Sequence, residues 1–265
     1  MSPFIAVLLF GLFVGAGLTW AQSERVVEIP TRPGITQRFL VLAPEAPTAA
    51  PKAAVILFAG GHGGLQLSPQ GGFGWGAGNF LVRTRALFAS QGLLVAVIDA
   101  PSDRQVQPFL GGFRQRPEHT ADVQAVIAWL KQQANVPVWL VGTSRGTQSA
   151  AFIATALPPA AGGPDGLVLT STLMIDPRGR GVTAMPIEKI RVPVLVVHHR
   201  QDGCEYCKYA DVPRVMEKLT TAPRKDLITA EGGISRGDPC EAMAHHGYNG
   251  IEREVVAKIA EWIVR

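Results

Sequence analysis

Charge is scarce in this chain of 265 residues, and that scarcity excludes several functions at once. Charged residues are 17% of the total, and no run of Lys or Arg is longer than two. The net charge of +4 therefore describes a mildly basic protein, not a nucleic-acid surface, which needs clustered cations interleaved with aromatics. Cysteine is scarce too. Three cysteines, Cys204, Cys207 and Cys240, are too few for a disulfide scaffold, and the single C-x-x-C pair has no second pair to finish a zinc site. There is no internal repeat, low-complexity tract or interdomain linker. What is present is apolar: 47% hydrophobic residues over this length are enough for one large domain, expected over residues 22–265.

Only one hydrophobic run is long, Phe4 to Leu18, followed by Thr19-Trp20-Ala21. It is short for a membrane span and suits the apolar region of a secretory signal at residues 1–21, cut after Ala21. The segment before it lacks Lys and Arg, which leaves an uncleaved anchor as the alternative. No cysteine follows the cut to carry a lipid. The expectation is a periplasmic or secreted protein with no stable membrane association once the signal is removed.

Strand and helix patterns alternate through the rest. Val26 to Ile29 and Phe39 to Leu42 read as an antiparallel pair at one sheet edge, and the proline-bearing stretch from Ala43 to Ala53 as a loop. Buried strands are predicted at Val55–Phe58, Leu93–Ile98, Val138–Val141, Leu167–Thr170, Val194–His198 and Leu227–Ala230. Helices are predicted from an Asn79 cap through Ser90, from a Thr120 cap over Ala121–Gln133, and over Thr147–Leu157, Val212–Leu219 and Ile251–Val264. Fully apolar strands between helices specify an α/β fold, a mostly parallel sheet of about eight strands with helices on both faces. The short interval before Val194 leaves little room for a large cap domain.

In such a sheet, function gathers at the carboxyl ends of the strands. Three of those ends carry matching chemistry. Gly142-Thr143-Ser144-Arg145-Gly146 lies between a strand and a helix of small residues, the setting of a G-x-S-x-G nucleophile elbow. Ala59-Gly60-Gly61-His62-Gly63-Gly64 follows an earlier strand and can offer a backbone amide from Gly61 or His62, beside that of Arg145, to a developing oxyanion. Asp202 follows a later strand as the candidate acid, with Asp176 as the runner-up. His246 precedes the last helix as the candidate base, preferred over His245 because Gly247 lets its loop come close. The Asp99 turn reads as pocket wall, and His119 as a residue of a helix start.

With these motifs the chain resembles the α/β-hydrolase superfamily over nearly its whole mature length. The resemblance implies a Ser-His-Asp acyl-enzyme mechanism, most often ester hydrolysis, on a small-molecule acyl substrate, with no metal or organic cofactor. An acyltransferase or peptidase with the same triad, or a non-catalytic binding module on the scaffold, is the alternative. Two departures stand out. GGHGG replaces the usual His-Gly oxyanion loop, and Arg145 stands where many esterases carry a small residue, either paired with an acid or turned toward an anionic substrate. If the loops of Asp202 and His246 meet, a Cys204–Cys240 disulfide would tie them, Cys207–Cys240 being the other pairing. A redox role for C-x-x-C lacks the helix that such a motif opens. The residues do not specify an oligomeric state.

Overall fold

A computed structural model describes residues 24–44 and 50–265, so the signal-peptide reading and part of the proline-bearing loop fall outside the described residues. Eight strands form one sheet: β1 (Glu24–Arg32), β2 (Ile35–Leu42), β3 (Ala53–Phe58), β4 (Leu93–Ile98), β5 (Val138–Thr143), β6 (Gly166–Thr170), β7 (Val194–His199) and β8 (Lys225–Ala230). Their spatial order is β1-β2-β4-β3-β5-β6-β7-β8. The first hairpin and the β2–β4 contact are antiparallel, and every later pair is parallel. Parallel neighbours need crossovers, and helices supply all but the one from β6 to β7: α1 (Phe80–Arg83) and α2 (Arg85–Ser90), α3 (Pro117–Ala134), α4 (Gly146–Ala156) and α5 (Val212–Lys218); α6 (Glu252–Val264) follows the last strand.

Strand period two divides the core into two layers. Ile56, Phe58, Leu140, Leu169 and Val196 face α3 and α4, meeting Val126, Ile127 and Ile153. Val55, Leu57, Val141, Val168 and Val197 face the other way, onto Phe80 and Phe88 and onto Val256 and Ile259 of α6. Both faces are covered, which is why β3 to β7 are buried along their length and read as unbroken apolar runs.

One helix differs from the sequence reading in its continuity and another in its start. The helix expected from Phe80 to Ser90 is two pieces, parted at Thr84, whose hydroxyl donates to the Phe80 carbonyl at 2.7 Å. Asn79 does cap the first piece, accepting from the Leu81 amide at 3.2 Å. Helix α3 begins at Pro117, not at a Thr120 cap: proline at the first helical position brings a suitable φ and has no amide to leave unsatisfied. Thr120 is already inside, with its amide bonded to the Arg116 carbonyl at 3.2 Å. Residues 171–193, between β6 and β7, carry only two short 3-10 turns, so no cap domain covers the sheet there.

Candidate active site

Ser144 follows β5 directly and has φ +52°, a left-handed conformation that a serine adopts only where surrounding structure enforces it. The enforcement comes from its neighbours. A Cβ on Gly142 would lie 2.6 Å from the Gly146 carbonyl oxygen, and one on Gly146 would lie 2.1 Å from that of Phe58. Only glycine fits at either place, so β5, the turn and α4 pass over β3 at backbone distance. The Ser144 amide is anchored on the Thr170 carbonyl of β6 at 3.1 Å.

The oxyanion-loop candidates lie against the same turn. A Cβ on Gly60 would stand 3.0 Å from that of Ser144, placing the following residue, Gly61, beside the serine. Neither the Gly61 and His62 amides nor that of Arg145 meets an acceptor among the described residues. The His62 ring is packed between Trp75 and Phe109, at centroid distances of 3.8 and 4.4 Å, and its Nδ1 accepts from the Gly64 amide. That burial, followed by the nearby charge of Arg114, lowers its pKa. The expected pocket-wall residue Asp99 is instead spent inside the loop: its buried carboxylate accepts from the amides of Leu65, Leu67 and Ala100 at 2.6 to 2.8 Å.

Asp202 and His246 meet. His246 Nδ1 lies 2.8 Å from Asp202 Oδ2, and both side chains are almost fully buried. Burial alone would raise the Asp202 carboxyl pKa. The hydrogen bonds from His198 (Nε2 at 3.4 Å) and His246 outweigh it and bring the value down to about 2. The Cys204 amide fills the other oxygen, Oδ1, at 3.0 Å. The base loop is fastened as well: the Ser171 hydroxyl donates to the His246 carbonyl at 2.7 Å, and the buried Tyr248 hydroxyl bonds the Ser171 amide and the Val197 carbonyl. His246 Nε2 has no partner among the described residues. His245 turns elsewhere, stacked on His199 at 4.3 Å with Nδ1 toward the Gln201 carbonyl. Asp176 is likewise taken up, by a bidentate pair with Arg145 at 3.1 Å and by Gln148 at 2.9 Å. Arg145 is therefore paired with an acid, the first of its two sequence readings.

Cys204 and Cys240 form a disulfide, joining the loop after Asp202 to the segment before His246. Cys207 is a buried free thiol whose pKa burial pushes far up, against a smaller lowering by its hydrogen bond with Ser144. Its sulfur, that of Cys204 and a ring nitrogen of His246 lie within 4.8 Å of one another. This cluster does not suit a metal, because the disulfide has consumed Cys204 and two ligands remain.

Two residues of this site had no motif to announce them. Arg114 is buried, with its guanidinium bonded to the Ala59 carbonyl (3.0 Å), weakly to those of Gly60 and Gly61, and to the Ser149 hydroxyl of α4 (3.0 Å). No carboxylate pairs with it among the described residues. Burial and then the charge of Arg145 lower its pKa to about 9, so it remains a cation at neutral pH. His119, expected near a helix start, is fully buried with Nε2 3.0 Å from the same Ser149 hydroxyl. A lone arginine in a loop and a lone histidine in a helix give no spacing signal. Only their convergence on Ser149 distinguishes them.

No family model and no curated protein matches this sequence. Solved structures do resemble the fold. A Pyrococcus furiosus esterase superposes with a TM-score of 0.64 at 13% identity, covering 92% of this chain and 90% of its own. An α/β serine hydrolase without lid from Xanthomonas campestris gives 0.57 at 17% identity, over 89% and 94%. A dienelactone hydrolase-like promiscuous phosphotriesterase from metagenomic libraries gives 0.61 at 17%, over 91% and 97%. Strand order, parallel register, a serine at positive φ after the fifth strand and these neighbours agree: the chain has the α/β-hydrolase fold.

Proposed function

We propose that this protein is a serine hydrolase that cleaves ester or related acyl bonds by a Ser-His-Asp acyl-enzyme mechanism. The observation that carries the reading is the buried Asp202–His246 hydrogen bond at 2.8 Å, with Nε2 left unengaged. With Nδ1–H donated to Asp202, Nε2 bears the lone pair, the tautomer a general base requires. Ser144 Oγ attacks the acyl carbon and its proton passes to Nε2. The oxyanion accepts from the amides of Arg145 and Gly61, His62 being one residue farther from the Gly60–Ser144 contact. Collapse expels the alcohol, which takes the proton from His246. Water then repeats the sequence on the acyl-enzyme and regenerates the serine. The mechanism calls on no metal or organic cofactor.

Asp202 orients the imidazole and offsets the positive charge that forms on it, while the disulfide and the Tyr248 contacts keep the two loops in register. The same disulfide supports placement in an oxidising compartment, the periplasm or the exterior. No described helix is long and apolar enough to cross a membrane.

The test is covalent labelling with a fluorophosphonate probe alongside hydrolysis of a short-chain nitrophenyl ester. Wild-type protein is expected to label at Ser144 and turn over the ester. Ser144→Ala is expected to do neither while melting at an unchanged temperature. Full ester hydrolysis by Ser144→Ala would remove the nucleophile assignment.

A further inference from the structure

Beside the elbow lies a cavity of about 770 Å³ whose wall includes Gly61, Trp75 and Arg145. Its charge is unbalanced: Arg114, Arg116, Arg145, Arg178 and Arg180 line it against only two carboxylates, Asp176 and Glu241. Asp176 is committed to Arg145 through both oxygens. Arg116, Arg178 and Arg180 form no ion pair among the described residues, and all three are exposed.

The groups that hold Arg180 and Arg114 are neutral. Arg180 Nε donates to Gln115 Oε1 at 2.8 Å, while Gln115 and Gln148 donate back to the Arg180 carbonyl at 2.7 and 3.0 Å. Arg114, at the buried end of the cavity, is held by carbonyls and a hydroxyl. Amides and carbonyls fix a guanidinium in place and leave its charge uncompensated. For the buried Arg114 that is costly, and for the exposed arginines it leaves a positive field free to draw an anion into the cavity. The planar fork of arginine also matches a carboxylate through two parallel hydrogen bonds.

We propose that the substrate carries a carboxylate on the half that occupies this cavity, and that Arg178 and Arg180, with Arg116, bind it. The reacting bond rests on the serine-hydrolase reading above; the anion site does not. The Arg145–Asp176 pair then serves as a wall between this site and Ser144, its own charge already met, so the carboxylate is drawn to the outer arginines and away from the reacting carbonyl.

The test has a kinetic arm and a binding arm. Mono-4-nitrophenyl glutarate is compared with 4-nitrophenyl valerate, placing the charge on the acyl half. 4-Carboxyphenyl acetate is compared with phenyl acetate, placing it on the alcohol half. One charged ester is expected to exceed its neutral counterpart by roughly tenfold or more in kcat/KM, the worth of a charge-assisted hydrogen bond. The advantage is expected to shrink with added NaCl, to collapse in Arg178→Ala/Arg180→Ala, and to survive in part in Arg178→Lys/Arg180→Lys. In calorimetry on Ser144→Ala, glutarate is expected to bind and its diamide, glutaramide, not to bind. If no ester is turned over, the hydrolase reading fails while the glutarate titration still decides the anion site. If esters are turned over with no preference for charge and glutarate binds no better than glutaramide, the anion site is overturned and the hydrolase reading stands.

Discussion

The two sides of the candidate site are built in opposite ways. On the side of β6, β7 and the last loop, the groups around Asp202 are tied to one another: both Asp202 oxygens, the Ser171 hydroxyl and the Tyr248 hydroxyl have partners, a disulfide crosses the gap, and His246 Nε2 is left free. On the side of residues 110–116 and 176–180, Arg180 is positioned by a neutral glutamine, and Arg116, Arg178 and Arg180 are exposed with no ion pair among the described residues. On the proposed mechanism the committed side would carry the proton path, where hydrogen-bond geometry decides whether a base works. The open side is organised for recognition, where a partner supplied by the substrate completes the arrangement. Arg114 belongs to both: it is buried like the first side and uncompensated like the second.

The largest expected effect separates the two neighbouring histidines on the committed side. His246→Ala is expected to lower kcat by roughly 10³-fold or more, as loss of a triad member does. His245→Ala, which removes a ring stacked on His199, is expected to cost less than about threefold, within the range of a modest surface change. Steady-state ester kinetics on both variants checks this, and equal losses would mean that the hydrogen bond to Asp202 does not mark the base.

Arg114 probes the junction. Arg114→Met keeps the length of the side chain and removes its bonds to the oxyanion-loop carbonyls, so kcat is expected to fall by roughly 10²-fold, comparable to loss of an oxyanion donor. KM for a neutral ester is expected to change little. Because a structural role alone could also lower activity, Arg114→Lys is the control: it restores a charge but not the fork, and partial recovery of kcat would mark the cation as a positioning residue.

Severing the covalent tie is expected to act on stability more than on chemistry. A crosslink over a sequence separation of 36 contributes about 3–4 kcal/mol by loop entropy. Cys204→Ser/Cys240→Ser should therefore lower the denaturant midpoint strongly and, because the unfolded chain is freed to expand, raise the m-value modestly, as read by urea unfolding. Loss of activity at a temperature where the double variant is fully folded would show that the bond also sets the Asp202–His246 geometry.

The smallest effect is a pH dependence under the open side. Burial, then the charges of Arg114 and Arg32, lowers the His119 pKa from 6.5 to about 3. Between these values the unfolded chain binds a proton that the folded protein refuses, so stability is full above about pH 6.5 and declines as pH falls toward 3. His199 and His62 are shifted in the same direction by burial. His119→Gln is expected to make the decline of the melting temperature between pH 6.5 and 4 shallower without abolishing it. An unchanged slope would exclude His119 as a contributor.

Much of this was legible along the chain, and the reason is local. The buried strands β3 to β7 show as apolar runs because both faces are covered, and Gly142 and Gly146 flank Ser144 because backbones collide there otherwise. The helix start at Pro117 was missed because Thr120 offered a familiar cap type and proline's fit to the first turn competed with it. The two open pairs, His245 against His246 and Asp202 against Asp176, are one residue or one strand apart. Gly247 favours His246 and strand position favours Asp202, but only side-chain direction separates each pair fully.

By itself, then, the sequence determined the layered sheet, the elbow at Ser144 and a short roster of acids, bases and cysteines, because periodicity and glycine placement are properties of neighbouring residues. Tertiary structure alone decided which histidine turns to Asp202, which cysteine pairs with Cys240, where Asp99 is spent and that Arg145 takes Asp176. It also gathered Arg116, Arg178 and Arg180 around one cavity. Those outcomes depend on side-chain direction and on contacts between residues 30 or more apart, and a linear pattern carries neither.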